Sequence, residues 1–161
     1  MLNFSINFKS KTRCNNWNMN VKSILSNLFN WLQSTEMFAR PAKKLPGKWI
    51  LWEYYTEPGK ELIHVQEEQL KERQLFWEAE FTEDEKFFHK TNLSVPLLAN
   101  ISNGSWGRSK NFITIIHPED FRKNVEFQFA IDKEDLKLLK KDPFGKIEFF
   151  GFFRKANQFK L

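Results

Sequence analysis

Between Lys48 and Lys155 the apolar residues return at every second position, the period that places side chains on one face of a β-strand. Val125, Phe127, Phe129 and Ile131 alternate with Glu126, Gln128 and Ala130. Leu75, Trp77, Ala79 and Phe81 alternate with Phe76, Glu78 and Glu80. Turn residues separate such stretches: Glu57-Pro58-Gly59-Lys60, Thr82–Glu85, His117-Pro118-Glu119-Asp120 and Asp142-Pro143-Phe144-Gly145. The predicted strands are 48–56, 75–81, 87–93, 104–107, 112–116, 125–131, 136–139 and 147–155. Leu62–Val65 reads as a short extra strand, and the helix formers of 66–73 as a helical turn. Eight strands with mostly short connections predict an antiparallel up-and-down meander, and such a meander can close into a β-barrel with no free edge. The fold class is therefore all-β.

The segment upstream is of another kind. Residues 1–18 are rich in Asn, lack acidic residues and hold no sustained period, so they are expected to be a mobile tail. In 19–45, Val21, Ile24, Leu25, Leu28, Phe29 and Leu32 fall on one helical face, which predicts one N-terminal amphipathic helix over 21–38, followed by a linker. Its apolar stripe is expected to pack on the barrel. A membrane-surface helix, favoured by Phe29, Trp31 and the following Arg40, Lys43 and Lys44, and a protein or dimer contact are the alternatives. Residues 46–156 are assigned to the barrel and 157–161 to a C-terminal tail. Either Met1 or Met19 serves as the start.

The net charge of +5 suggests nucleic acid until it is divided along the chain. Residues 1–45 carry seven Lys+Arg and one Glu, which leaves 18 basic and 19 acidic residues for 46–161. The barrel is thus nearly neutral, and no nucleic-acid partner is expected. Cys14 is the only cysteine, so no internal disulfide exists, and it follows Lys11-Thr12-Arg13 rather than an apolar run. With no clear signal peptide or lipid-anchor motif, a cytoplasmic location is favoured. His64, His89 and His117 are scattered without metal-ligand spacing, so neither metal nor cofactor is expected. Spacing assembles no catalytic constellation, which argues against an enzyme.

Gly47-Lys48-Trp49 at the head of the first strand resembles the G-x-W signature of lipocalins and the wider calycin group, and in particular small bacterial lipocalin-like domains. That resemblance covers 46–156. It implies an eight-stranded barrel whose Trp closes one end, a basic side chain from the last strand packed across it, and binding of a small hydrophobic molecule. By position, Gly47, Trp49 and Arg154 would be the structural signature. The T-D-x-x-Y pattern, paired cysteines and C-terminal helix of the classical secreted members are absent.

Candidate ligand-binding residues follow from inward parity. Glu53 shares parity with Trp49, Leu51 and Tyr55, and a buried carboxylate there needs a partner such as Tyr55 or Arg108, unless the strand bends and frees it to solvent. Trp77, Phe81, Phe87, His89, Trp106, Phe112, Phe127, Phe129 and Phe149 complete the set, with Phe153 beside them. These rings either line a pocket for a lipid or fatty-acid-like ligand or fill a narrow barrel completely. The first case, a non-enzymatic carrier of a small hydrophobic molecule, is the favoured expectation. The second is a structural or protein-interaction module, with its helix or an outward Trp52 and Tyr54 as the contact surface.

Overall fold

The first strand, β1 (Gly47–Thr56), starts where a glycine is required: Gly47 has φ +135°, a conformation that side-chain-bearing residues rarely adopt. The computed structural model describes residues 45–156. The tail at 1–18, the helix at 21–38, its linker and the tail at 157–161 lie outside the described residues.

After β1 come β2 (Ile63–Val65), the single-turn helix α1 (Glu67–Glu72), β3 (Trp77–Phe81), β4 (Lys86–Thr91), β5 (Gly104–Ser109), β6 (Phe112–Ile116), β7 (Val125–Asp132), β8 (Asp135–Lys141) and β9 (Ile147–Lys155). Every pairing is antiparallel, each strand from β3 to β9 pairs with the next, and β9 returns to β1. β1 and β3 to β9 therefore close an eight-stranded up-and-down barrel. The short β2 pairs with Tyr54–Thr56 of β1, beyond the Gly47–Ile50 stretch that pairs with β3. α1 fills the step between them, its start fixed by a reciprocal capping box between Gln66 and Gln69.

The alternation read from the sequence becomes the barrel wall. Trp77, Ala79 and Phe81 are buried on β3, as are Phe127 and Phe129 on β7, while Glu78, Glu80 and Glu126 face outward. The outer face is not polar throughout: Tyr55, Phe150 and Phe152 gather on it beside one another. At one end lie Trp49, Phe81 and the β3–β4, β5–β6 and β7–β8 turns. At the other end the 92–103 segment folds inward, and Leu93, Val95, Leu98 and Ile101 join the core. A five-residue 3-10 turn from Pro96 to Asn100 holds that strap in shape.

Candidate functional site

Seven of the candidate residues lie together in the barrel interior. Leu51, Trp77, Phe81, Phe87, Phe127, Phe129 and Phe149 are all buried in one cluster. Trp77 sits edge-on to both Phe149 and Phe153, each with centroids 5.1 Å apart, and 6.4 Å from Phe127. Phe81 lies 5.1 Å from Phe87 and meets the half-buried Trp106 edge-on at 5.7 Å, while the Trp106 indole donates to Thr82 O at 3.2 Å. The rings occupy each other's space: a Cβ at Gly151 would run into the Phe149 ring.

Glu53 and Tyr55 depart from the inward parity assigned to them. The register on β9 runs Leu51↔Phe153, then Glu53↔Phe152, so two steps along β1 match one along β9. This β-bulge reverses the parity of everything after it. Tyr54 is inside, stacked on Phe149 at 5.7 Å, rather than outward. Glu53 and Tyr55 are on the outer face, where Glu53 Oε1 accepts from Tyr55 OH at 2.7 Å and pairs with His64 Nε2 at 2.7 Å. The His64 ring stacks on Tyr55 at 4.2 Å. Burial, then the Glu53 carboxylate, pushes the Tyr55 hydroxyl well above its ordinary range.

Arg108 is exposed at the Trp49 end of the barrel and is not the partner of Glu53. Phe112 also faces outward, 36% exposed, because Ile113 and Ile115 pair with Phe127 and Val125 and share their inward side. A strand apolar on both faces carries no parity signal of its own.

At the closed end, Trp49 is wholly buried and its indole donates to Leu45 O at 2.8 Å. The cation over its ring is Lys155, at 5.2 Å, and not Arg154. Trp49 and Lys155 are direct register partners and share a side, whereas Arg154 pairs with Ile50 and points outward. Arg154 lies instead 4.1 Å from the Trp52 ring and bonds Glu67 Oε2 at 3.1 Å. Lys71 first, then Arg154, hold the Glu67 carboxyl below its usual range.

His89 faces inward beside Phe87, with its Nε2 3.0 Å from Ile101 O and its Nδ1 buried without a partner. Burial pushes its pKa down. The Trp77 indole N–H and the Ser102 hydroxyl are likewise buried and unpaired. The clefts described lie at the surface. One of about 190 Å³ opens beside His89 and Phe88, one of about 290 Å³ lies between Trp52, Leu70 and Phe76, and one of about 220 Å³ lies against Trp49 and Lys155. Among the described residues no group of three or more His, Cys, Asp or Glu side chains is placed to hold a metal ion. Two features were not legible beforehand: the strap residues, which lack periodicity, and His64 as the partner of Glu53. No protein-family model, curated protein or solved structure matches the chain.

Proposed function

We propose that residues 46–156 are a lipocalin-like barrel serving as a structural or interaction module, working from its outer surface around a core filled by its own side chains. The observation that carries this reading is the interior itself. Trp49, Trp77, Phe81, Phe87, Phe127, Phe129, Phe149 and Phe153 are each 1% exposed or less and belong to one core cluster, with Trp77 against Phe149 and Phe153 and Phe81 against Phe87. Close packing of this kind leaves ligand-sized space only if side chains move. Gly47, the buried Trp49 and a cation from β9 across its indole support the lipocalin-like assignment, with Lys155 in the role expected of Arg154.

One observation favours the carrier as a second reading. The Trp77 indole N–H is a buried donor with no acceptor, lying in a core that the strap at 92–103 closes. A lipid carbonyl or carboxylate entering on displacement of the strap would supply that acceptor.

Native mass spectrometry of the purified full chain, with titration of fatty acids against Trp fluorescence, separates the two. A chain that carries no lipid and gives no saturable response fits the filled module. A stoichiometric lipid, lost in Trp77→Phe, would replace that reading by the carrier.

A further inference from the structure

Two loops at the strap end of the barrel each hold a phenylalanine out in water. Phe121 is 77% exposed and Phe144 is 93% exposed, far more than any other large apolar residue described. The β6–β7 and β8–β9 connections are consecutive around that rim, because β7 and β8 are neighbours in the barrel.

Neither tip is slack. Asp142 Oδ1 accepts from Phe144 N at 2.8 Å and Lys146 N at 2.9 Å, and Gly145, at φ +86°, turns the chain back so that its N–H reaches Asp142 O at 3.0 Å. In the other loop Asp120 Oδ1 accepts from Arg122 N at 3.0 Å, His117 Nδ1 from Asp120 N at 3.1 Å, and Asn124 Oδ1 from His117 N at 2.9 Å. Both loops thus use polar side chains to fix a turn whose apex is apolar. The same bonds tie back Asp120 and Asp142, while Arg122 and Lys123 stand exposed beside Phe121. Lys146, next to Phe144, donates from Nζ to Gly59 O at 2.6 Å, which brings the exposed Lys60 and Glu61 of the β1–β2 loop to the same rim as Glu119.

From this geometry we infer that the rim carrying Phe121 and Phe144 docks onto an anionic lipid surface, the two rings entering the interface and Arg122 and Lys123 facing the headgroups. A protein hot spot is an anchor set in a flat, well-packed patch. Single rings on convex tips flanked by cations have the form that buries shallowly at a headgroup boundary, where each cation is worth about a five-fold change in binding. The inference rests on reading the domain as a module that works from its outside. It fails separately, since lipid inside the barrel would overturn that reading whatever the rim does.

The test is co-sedimentation of the full chain with phosphatidylcholine vesicles, with and without phosphatidylserine, against Phe121→Ser/Phe144→Ser and Arg122→Glu/Lys123→Glu. All four residues are exposed, so thermal midpoints should match the parent chain and certify folding. The parent chain is expected to bind the anionic vesicles. The Phe pair should lose binding at least about ten-fold, and the charge pair should lose the preference for anionic lipid by a similar factor. Retention of full binding by the Phe pair overturns the assignment and places any lipid contact elsewhere in the chain. No binding by the parent chain to either vesicle overturns it too and leaves a protein as the occupant of the rim.

Discussion

Lys155, and not its neighbour Arg154, lies over the indole of Trp49, because the two are direct register partners across β1 and β9. Its Nζ also donates to Pro46 O at 3.2 Å, which ties the entry to β1 to the end of β9. Lys155→Ala is expected to lower the unfolding free energy by about 1–2 kcal/mol, through the lost cation–π contact and hydrogen bond. Arg154→Ala removes a partly exposed stack on Trp52 and a screened pair with Glu67, and should cost about 0.5–1 kcal/mol. Urea denaturation of the two variants checks the order, and a larger loss for Arg154→Ala would contradict it.

The barrel was legible because β3 and β7 bury one face and keep period two, and the turns carry Pro, Gly or Asp. Parity failed where period two is broken or silent. One extra residue between Leu51 and Glu53 sends Tyr54 inside and Tyr55 outside, and a bulge of one residue leaves no mark in composition. Phe112 was ambiguous because β6 is apolar on both faces. The strap at 92–103 was opaque for another reason: Leu93, Val95, Leu98 and Ile101 point inward from irregular backbone, where no period exists to be read.

The chain has only Tyr54 and Tyr55, and both are held above the ordinary tyrosine value of 10.0, chiefly by burial. In the folded chain both hydroxyls stay protonated where the unfolded chain has begun to ionise. Stability from this source is fully present below pH 10 and is lost as pH rises past it. Tyrosinate absorbance should therefore lag in the native protein and appear together with unfolding. Tyr55→Phe should flatten the alkaline loss, and ordinary reversible titration of both tyrosines in the folded state would rule this out.

His89 works at the other end of the scale. Its folded pKa lies below the ordinary 6.5 because burial penalises the cation, with the Ile101 carbonyl opposing more weakly. The unfolded chain then binds the extra proton, so stability is complete above about pH 6.5 and falls as pH drops below it. The chain has two other histidines, so the informative quantity is a difference. His89→Gln keeps a donor toward Ile101 and should show a shallower fall in thermal midpoint between about pH 6.5 and 5 than the parent chain. Superimposable profiles would place His89 outside the acid response.

Gly151 is a position where one methyl group is felt. Its Cβ would collide with Phe149 and press on Phe153, two rings that are themselves fixed against Trp77. Gly151→Ala should cost about 1–3 kcal/mol, as overpacking of a filled core does. Phe149→Leu in the same chain should recover part of that loss by making room. Additive losses in the double variant would mean that the strain is relieved by some other route.

The strap offers the sharpest test of whether the barrel is solid. Leu98 is 3% exposed and packs with Leu93, Val95 and Ile101 into the same cluster as Phe127 and Phe149. If the strap is an integral part of the core, Leu98→Ala should cost about 2–4 kcal/mol, the usual range for a buried leucine. The hydrogen-bonded amides of Leu98 and Ile101 should then exchange only on global unfolding, as those of β7 do. A lid that opens to admit a ligand behaves otherwise: the strap amides would exchange through a local opening well below the global free energy. Leu98→Ala would then loosen the strap without comparable loss in β7. Residue-resolved hydrogen exchange on the parent chain and on Leu98→Ala distinguishes the two, and uniform protection across the strap and β7 is the outcome that the filled barrel requires.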